Sequence, residues 1–384
     1  MTPKTAAWLL VLCTATSARA EWPLLWDFDG RRDEPVDAAL LPAGGDLFVL
    51  ASVRIQASTT PRTALVRISP AGEIVWQVDD PEMPAPGGLA LAPDGRALML
   101  GRNGAATRVT AVAADGTIAW SRERTGLDIS PFFAEIPIRP HWDEGTGAWW
   151  IPTGAGGDFV VLGWDGEGDP IPDRVWSPPD GEARATSVLS RPGGGLLVAG
   201  TVFEIAAPGW WVVALDAAGA EDWSRFEDGG TDAGIFSGAF LLGADPVRLW
   251  GDDESQCGLF SLRLWALDPD AGSPLWARTW PAPGGCSSFE PDSVRLAGDR
   301  LLAGGATNHF PGTGGSAAVA LAFDATTGAP LWERIFDGAT TTIRADLASV
   351  DGSALLATTL FPPSQPGATP LWTSAWSRDG VECG

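Results

Sequence analysis

Tyrosine is absent from the 384 residues, lysine occurs once, at Lys4, and histidine twice, at His141 and His309. Each scarcity removes a chemistry. Without tyrosine there is no tyrosine nucleophile of the sialidase kind and no tyrosine-based radical site. Lys4 falls in a leader segment, so the rest of the chain offers no lysine for a Schiff base or a nucleophilic amine. No Cys-Cys pair occurs among the 4 cysteines, and no motif connects the two histidines. A Gly-x-Ser-x-Gly elbow, a His-Glu-x-x-His pair and a glycine-rich phosphate loop are likewise missing.

Basic residues are also few: 25 Lys and Arg against 48 Asp and Glu, a net charge of −23. So acidic a surface repels nucleic acid and anionic lipid, and neither is expected as a partner. Residues 1–20 read as a secretory signal. Lys4 supplies the positive start, Ala6 to Leu12 the apolar segment and Ala18-Arg19-Ala20 the small-residue cleavage site. That apolar segment is too short to span a bilayer. Bulky Leu12 stands before Cys13 where a lipidation signal needs a small residue. The expected product is exported without membrane insertion, to the periplasm, the medium or the cell surface, as a monomer.

What the sequence does contain is tryptophan, 20 of them, and a repeat built on it. Residues 317–323 are apolar at every position, as in a strand buried on both faces. Asp324-Ala-Thr-Thr-Gly328 then supplies side chains that bond the backbone and a glycine for a tight turn, and a second strand carries Trp332. Weaker copies place Trp26, Trp76, Trp120, Trp176, Trp223 and Trp276 at equivalent points, 44 to 56 residues apart. A period of this size with about four short strands per unit signals a β-propeller. Inner hairpins are expected at 88–101, 186–200, 237–251, 292–304 and 345–357, with turns such as Pro93-Asp-Gly95 and Asp351-Gly352. The unit at 133–178 is the least regular, and Arg139-Pro-His-Trp-Asp-Glu-Gly145 reads as an enlarged turn. The last unit ends after a third strand, Leu371 to Trp376, with no tryptophan beyond it. Trp26 lies in Pro23-Leu-Leu-Trp-Asp-Phe-Asp-Gly30, which echoes the stretch from Pro330 to Gly338. The expected fold is therefore all-β: one domain over 21–384, a seven-bladed propeller of four-stranded antiparallel blades. Residues 23–28 close it by pairing with 370–376, which removes exposed edges.

Ala322-Phe-Asp-Ala-Thr-Thr-Gly-Ala-Pro-Leu-Trp332 resembles the repeat of pyrroloquinoline-quinone-type β-propellers, and Ala266-Leu-Asp-Pro-Asp-Ala-Gly-Ser-Pro-Leu-Trp276 is similar. The resemblance implies that each repeat tryptophan docks on the neighbouring blade. Quinone dehydrogenases of that family are larger, and many carry a vicinal cysteine pair that this chain lacks, so no cofactor is expected. Non-catalytic members include a propeller lipoprotein that assists outer-membrane protein assembly. That protein has eight blades, and this chain departs from it in blade count and in the residues before Cys13.

Asp165-Gly-Glu-Gly-Asp169 sets carboxylates at alternate positions like the start of a calcium loop. It lacks the loop's further glycine and distant bidentate glutamate, and it falls where third and fourth strands turn, so an ordinary polar turn is expected and no metal is assigned. The pairs Trp149-Trp150 and Trp210-Trp211 point to both faces of a strand and are expected to pack. Cys257 and Cys286 lie in loops of one blade that emerge on the same face, and a disulfide worth roughly 3 kcal/mol is expected between them. Cys383 is left over.

Short, uniform turns occupy one rim. Long, irregular loops, free to specialise, occupy the other. The long loops carry Phe132, Phe133, Phe203, Trp280, Phe289, His309, Phe310 and Phe361, with Asp252, Asp253 and Glu254 among them. The expected function is a non-catalytic module that binds a protein or an extracellular ligand through this rim, or assists assembly. The alternative is a secreted glycosidase or lyase using carboxylates in a central funnel.

Overall fold

The computed structural model describes residues 32–41, 46–54, 62–69, 73–127, 138–179, 182–203, 209–228, 239–254, 260–280, 288–308, 316–336, 342–350, 353–360 and 371–376. They form 27 strands and no helix. The strands group into sheets that follow the chain: sheet 1 over residues 32–80, sheet 2 over 85–124, sheet 3 over 141–176, sheet 4 over 182–228, sheet 5 over 239–280, sheet 6 over 288–336 and sheet 7 over 342–376. Within each, sequence neighbours pair in order. Sheets 1 to 6 have four strands and sheet 7, among the described residues, has three.

The expected hairpins are all present, but their strands run further than the apolar pattern. The second strand of sheet 4 is Leu196–Phe203, past Gly200, and that of sheet 5 is Val247–Glu254, past Gly251. These glycines do not end the hairpins. Gly200 lies opposite Ala185, where the first strand of sheet 4 bulges between Ala185 and Ser187. A Cβ on Gly200 would stand 1.9 Å from the Arg184 carbonyl oxygen, so only glycine fits beside the bulge. First strands also bulge in sheets 1, 2, 5, 6 and 7. The first strand of sheet 1 is Arg32–Leu40. One expectation needs correction. Arg139 to Gly145 is not an enlarged turn, because it contains the first strand of sheet 3, His141–Asp143.

The chain divides into two compact units, one of Glu82–Thr279 and one of Met1–Pro81 with Trp280–Gly384. In the first unit, consecutive sheets stack through three apolar cores. Trp149, Ile151, Val160 and Leu162 meet Leu98, Leu100 and Val109 between sheets 2 and 3. Trp150, Phe159 and Val161 meet Val188, Val198 and Val213 between sheets 3 and 4. Leu197, Trp210 and Val212 meet Leu241, Val247 and Trp265 between sheets 4 and 5. The adjacent tryptophans thus serve opposite faces, as period-two geometry requires. In the second unit, the first strand of sheet 7, Thr342–Val350, contacts the first strands of sheets 6 and 1. There Arg295 donates to the buried Asp37 at 3.3 Å, joining residues 258 positions apart.

Three repeat tryptophans bind the next sheet at or beside its turn between third and fourth strands. Trp120 donates from Nε1 to the Gly166 carbonyl at 3.2 Å, Trp176 to the Glu221 carboxylate and Trp223 to the Pro269 carbonyl at 3.0 Å. Arginines reinforce the seat: Arg122 reaches the Gly168 carbonyl at 2.9 Å, and Arg174 reaches those of Ala217 and Ala218. All three indoles are buried. Each removes on the order of 200 Å² from water, worth about 5 kcal/mol as an upper bound. Two of the seats need a glycine under the ring: a Cβ on Gly272, with φ +64°, would stand 2.5 Å from the Trp223 ring, and one on Gly168 would stand 2.6 Å from that of Trp120.

Urea unfolding should therefore show Trp223→Ala destabilised by about 3–5 kcal/mol and Trp223→Phe by less. Gly272→Ala should cost more than the ~1 kcal/mol expected of a strained turn position alone, because the methyl group displaces the indole. Equal stability of Gly272→Ala and wild type would refute the seat.

Candidate functional site

One cluster in the first unit gathers a histidine, a serine and a carboxylate from two sheets. The first strand of sheet 3, His141–Asp143, has three residues and pairs only with Trp150, Trp149 and Ala148. It leans on sheet 4 instead. The Arg139 N–H donates to the Thr186 carbonyl at 3.2 Å, and Arg139 and Ser187 form a parallel bridge. His141 Nε2 lies 3.0 Å from the hydroxyl of Ser190, the last residue of the strand Glu182–Ser190. Ser190 also hydrogen-bonds the Asp143 carboxylate. Ser187 extends the line, its hydroxyl accepting from the Leu241 N–H at 3.0 Å.

The chemistry follows from who can donate. An ionised carboxylate only accepts, so Asp143 accepts the hydrogen bond that the Ser190 hydroxyl donates. Burial holds His141 neutral, its pKa pushed down to about 4 against the pull of Asp143. Burial acts to raise the Asp143 pKa. Hydrogen bonds from Thr146, Gly145 and Ser190, with the nearby His141, outweigh it and leave the carboxyl below its usual value. The three residue types of a hydrolase triad are present, with the serine hydroxyl between the histidine and the carboxylate. Asp143 and Asp115 are described carboxylates with displaced pKa values. Both are lowered, Asp115 by the Thr117 backbone N–H and hydroxyl, whereas a general acid needs a raised value.

Around this cluster the aromatics pack. Trp142 tilts against Trp149 at 4.6 Å and carries the Arg96 guanidinium at 4.5 Å on its face. Asp165 in the calcium-like stretch spends its Oδ1 on the backbone N–H groups of Glu167 and Asp169, at 2.9 and 2.8 Å, as an ordinary turn does. Among the described residues no three His, Cys, Asp or Glu side chains gather to hold a metal.

The long-loop candidates are placed as follows. Asp252, Asp253 and Glu254 lie in the strand Val247–Glu254, opposite Leu262, Ser261 and Phe260. Phe203 ends the strand Leu196–Phe203, opposite Glu182. Phe289 is in the strand Ser288–Ala297, opposite Thr307. Trp280 ends the strand Pro274–Trp280 and donates to the Glu333 carboxylate at 3.2 Å. Phe132, Phe133, His309, Phe310 and Phe361 lie outside the described residues, as do Cys257, Cys286 and Cys383. The candidates that can be placed are strand-end residues. The His141–Ser190–Asp143 cluster had no signal in the sequence, since its members are 49 positions apart and become neighbours only when sheets 3 and 4 stack.

Because the His141 pKa is lowered on folding, the unfolded chain takes up its proton first as pH falls. The His141 contribution is fully present above about pH 6.5 and is lost between 6.5 and about 4. A shift of this size corresponds to about 3 kcal/mol. Urea midpoints of wild type should fall more steeply across that window than those of His141→Gln, and parallel curves would show that the histidine is not buried neutral.

Residues 173–357, a little under half of the chain, match the family described as outer membrane protein assembly factor BamB. No curated protein matches the chain. Among solved structures, a protein from Lactobacillus plantarum is similar at TM-score 0.56 and 12% identity, over 88% of this chain and 94% of that one. The β-propeller domain of the Trilobed protease from Pyrococcus furiosus, described as having an open velcro topology, is similar at TM-score 0.54 and 11% identity, over 91% and 94%. Hydrazine synthase from Kuenenia stuttgartiensis follows at 0.50 and 11%, over 76% of each chain. At such identities the likeness concerns the fold alone. With its tryptophan-seated antiparallel sheets and its likeness to solved propellers, the chain has a β-propeller fold, and over residues 173–357 it is similar to the PQQ-like repeat family.

Proposed function

We propose that the chain is an exported, non-catalytic propeller that serves as a binding or assembly module, taking a protein or an extracellular ligand on its long-loop rim. The observation that carries this reading is the match of residues 173–357 to a family whose description is an assembly factor. The His141–Ser190 hydrogen bond is compatible with it, because these polar groups join two sheets. The same reading makes the propeller seven-bladed, with residues 23–28 as the fourth strand of sheet 7. Two facts support that closure: sheet 7 has three described strands, and its first strand contacts that of sheet 1. It also keeps the Cys257–Cys286 disulfide as a property of the exported form.

Immobilised mature chain should capture a defined partner from envelope or medium extract of the source cells. Capture should fall about tenfold or more when Asp252, Asp253 and Trp280 are changed to alanine, and should survive alanine at Asp94 and Asp115 in the short turns. Loss confined to the short-turn variants would place binding on the other rim. Deleting residues 21–30 should lower unfolding stability by several kcal/mol, and an unchanged midpoint would remove the closure.

A further inference from the structure

Asparagine occurs in the chain at Asn103 and Asn308, and of the two only Asn103 is followed by glycine. The side-chain amide of asparagine is an electrophile one residue away from a backbone nitrogen. A following glycine leaves that nitrogen uncrowded, because it carries no Cβ. Asn308 precedes His309, which does carry one.

The fold puts Asn103–Gly104 where this chemistry can run. Asn103 ends the second strand of sheet 2, Ala97–Asn103, and pairs with Ala106, the first residue of the third strand, Ala106–Val112. Gly104 and Ala105 are thus a two-residue turn, and Gly104 has a φ of +58°, as the first turn residue of a type II′ hairpin does. Asn103 and Gly104 are both exposed. The Gly104 N–H makes no hydrogen bond among the described residues, and a Cβ placed on Gly104 would meet nothing within 4 Å.

The described Asp-Gly turns are built differently. The Gly95 N–H is held by the Ala92 carbonyl at 3.0 Å and the Gly116 N–H by that of Ala113 at 2.9 Å. The Asp94 and Asp115 carboxylates accept from the Arg96 and Thr117 N–H groups, and a carboxylate resists attack at carbon where an amide does not.

We propose that Asn103 is a site of spontaneous self-modification in the folded chain, through attack of the Gly104 nitrogen on the Asn103 side-chain carbonyl carbon. The bond from Gly104 N to Asn103 Cγ forms, and the bond from Cγ to Nδ2 breaks. The proton lost from Gly104 N passes through solvent to the leaving group, which departs as ammonia. Water then opens the five-membered imide at either carbonyl, giving aspartate or isoaspartate. Asn103 is extended, so the turn must open to bring Cγ over the nitrogen, and a hairpin tip opens at little cost.

The product changes its surroundings. Asn103 Nδ2 donates to Glu123 Oε1 at 3.0 Å, the same oxygen that accepts from Arg108 at 3.0 Å, while Arg108 also binds Glu82 at 2.8 Å. Conversion removes that donor and sets a new carboxylate beside Glu123, where like charges repel. Isoaspartate further lengthens the backbone and breaks the Asn103–Ala106 pair. The end of sheet 2 beside Glu123 therefore loosens.

The test incubates the folded full chain in mildly alkaline buffer and follows it by anion exchange, ammonia release and peptide mass. The expected result is a more acidic species with ammonia released in equal amount. The mass gain of an amide becoming an acid should lie between Arg102 and Arg108, and isoaspartate should be found there. Asn103→Gln, an exposed substitution whose cyclisation needs a larger ring, should lose the conversion and keep the thermal midpoint. The separated acidic species should exchange backbone hydrogens faster over Asn103–Ala106 and Ile118–Arg124 than the unconverted chain. No acidic species from the folded chain, or conversion only in denaturant, overturns the proposal. So does a mass gain at Asn308 in place of Asn103, or equal conversion in Asn103→Gln. Unchanged hydrogen exchange in the acidic species overturns the loosening.

Discussion

The tryptophan seated on the next sheet's turn is the interaction on which the rest of the structure depends. A sheet such as 141–176 is apolar on both faces, with Trp149 and Trp150 pointing opposite ways. No such sheet can satisfy itself in water, and each needs a neighbour on either side. Apolar stacking alone is not directional and would let sheets slide. The Trp223 hydrogen bond to Pro269, the Trp120 bond to Gly166 and the glycines beneath the rings set the offset between neighbours. The arginines two residues away bind the same turns, so register and affinity come from one place.

Polar groups inside this stack serve the same end. His141, Ser190 and Asp143 are the residue types of a hydrolase, yet their hydrogen bonds tie a three-residue strand to the adjacent sheet. Ser187 does the same for Leu241, and Asp37 with Arg295 does it in the other unit. The proposed binding residues Asp252 and Asp253 lie instead at the end of a strand, Val247–Glu254.

Much of this was legible in the sequence. The 44–56-residue spacing of tryptophans, the all-apolar run at 317–323 and the Asp-to-Gly turns are local patterns, and they yield the strands, the hairpins and the fold. Strand limits were less legible, because the hydrogen-bond ladder continues beyond the point where a neighbouring sheet covers the side chains. Hence Phe203, Asp252, Trp280 and Phe289, read as loop residues, are strand-end residues. Gly200 looked like a hairpin end, because a glycine opposite a bulge and a glycine at a turn are the same letter.

The sequence by itself determined that this chain is a tryptophan-marked, all-β repeat with a strongly acidic surface. Backbone alternation and turn chemistry depend on residues within a few positions of one another. Tertiary structure alone decided which faces meet. It put His141 beside Ser190 and brought Arg295 to Asp37. Those contacts join residues 49 and 258 positions apart. Nothing in the local pattern specifies such a relation, because the stacking of whole sheets creates it.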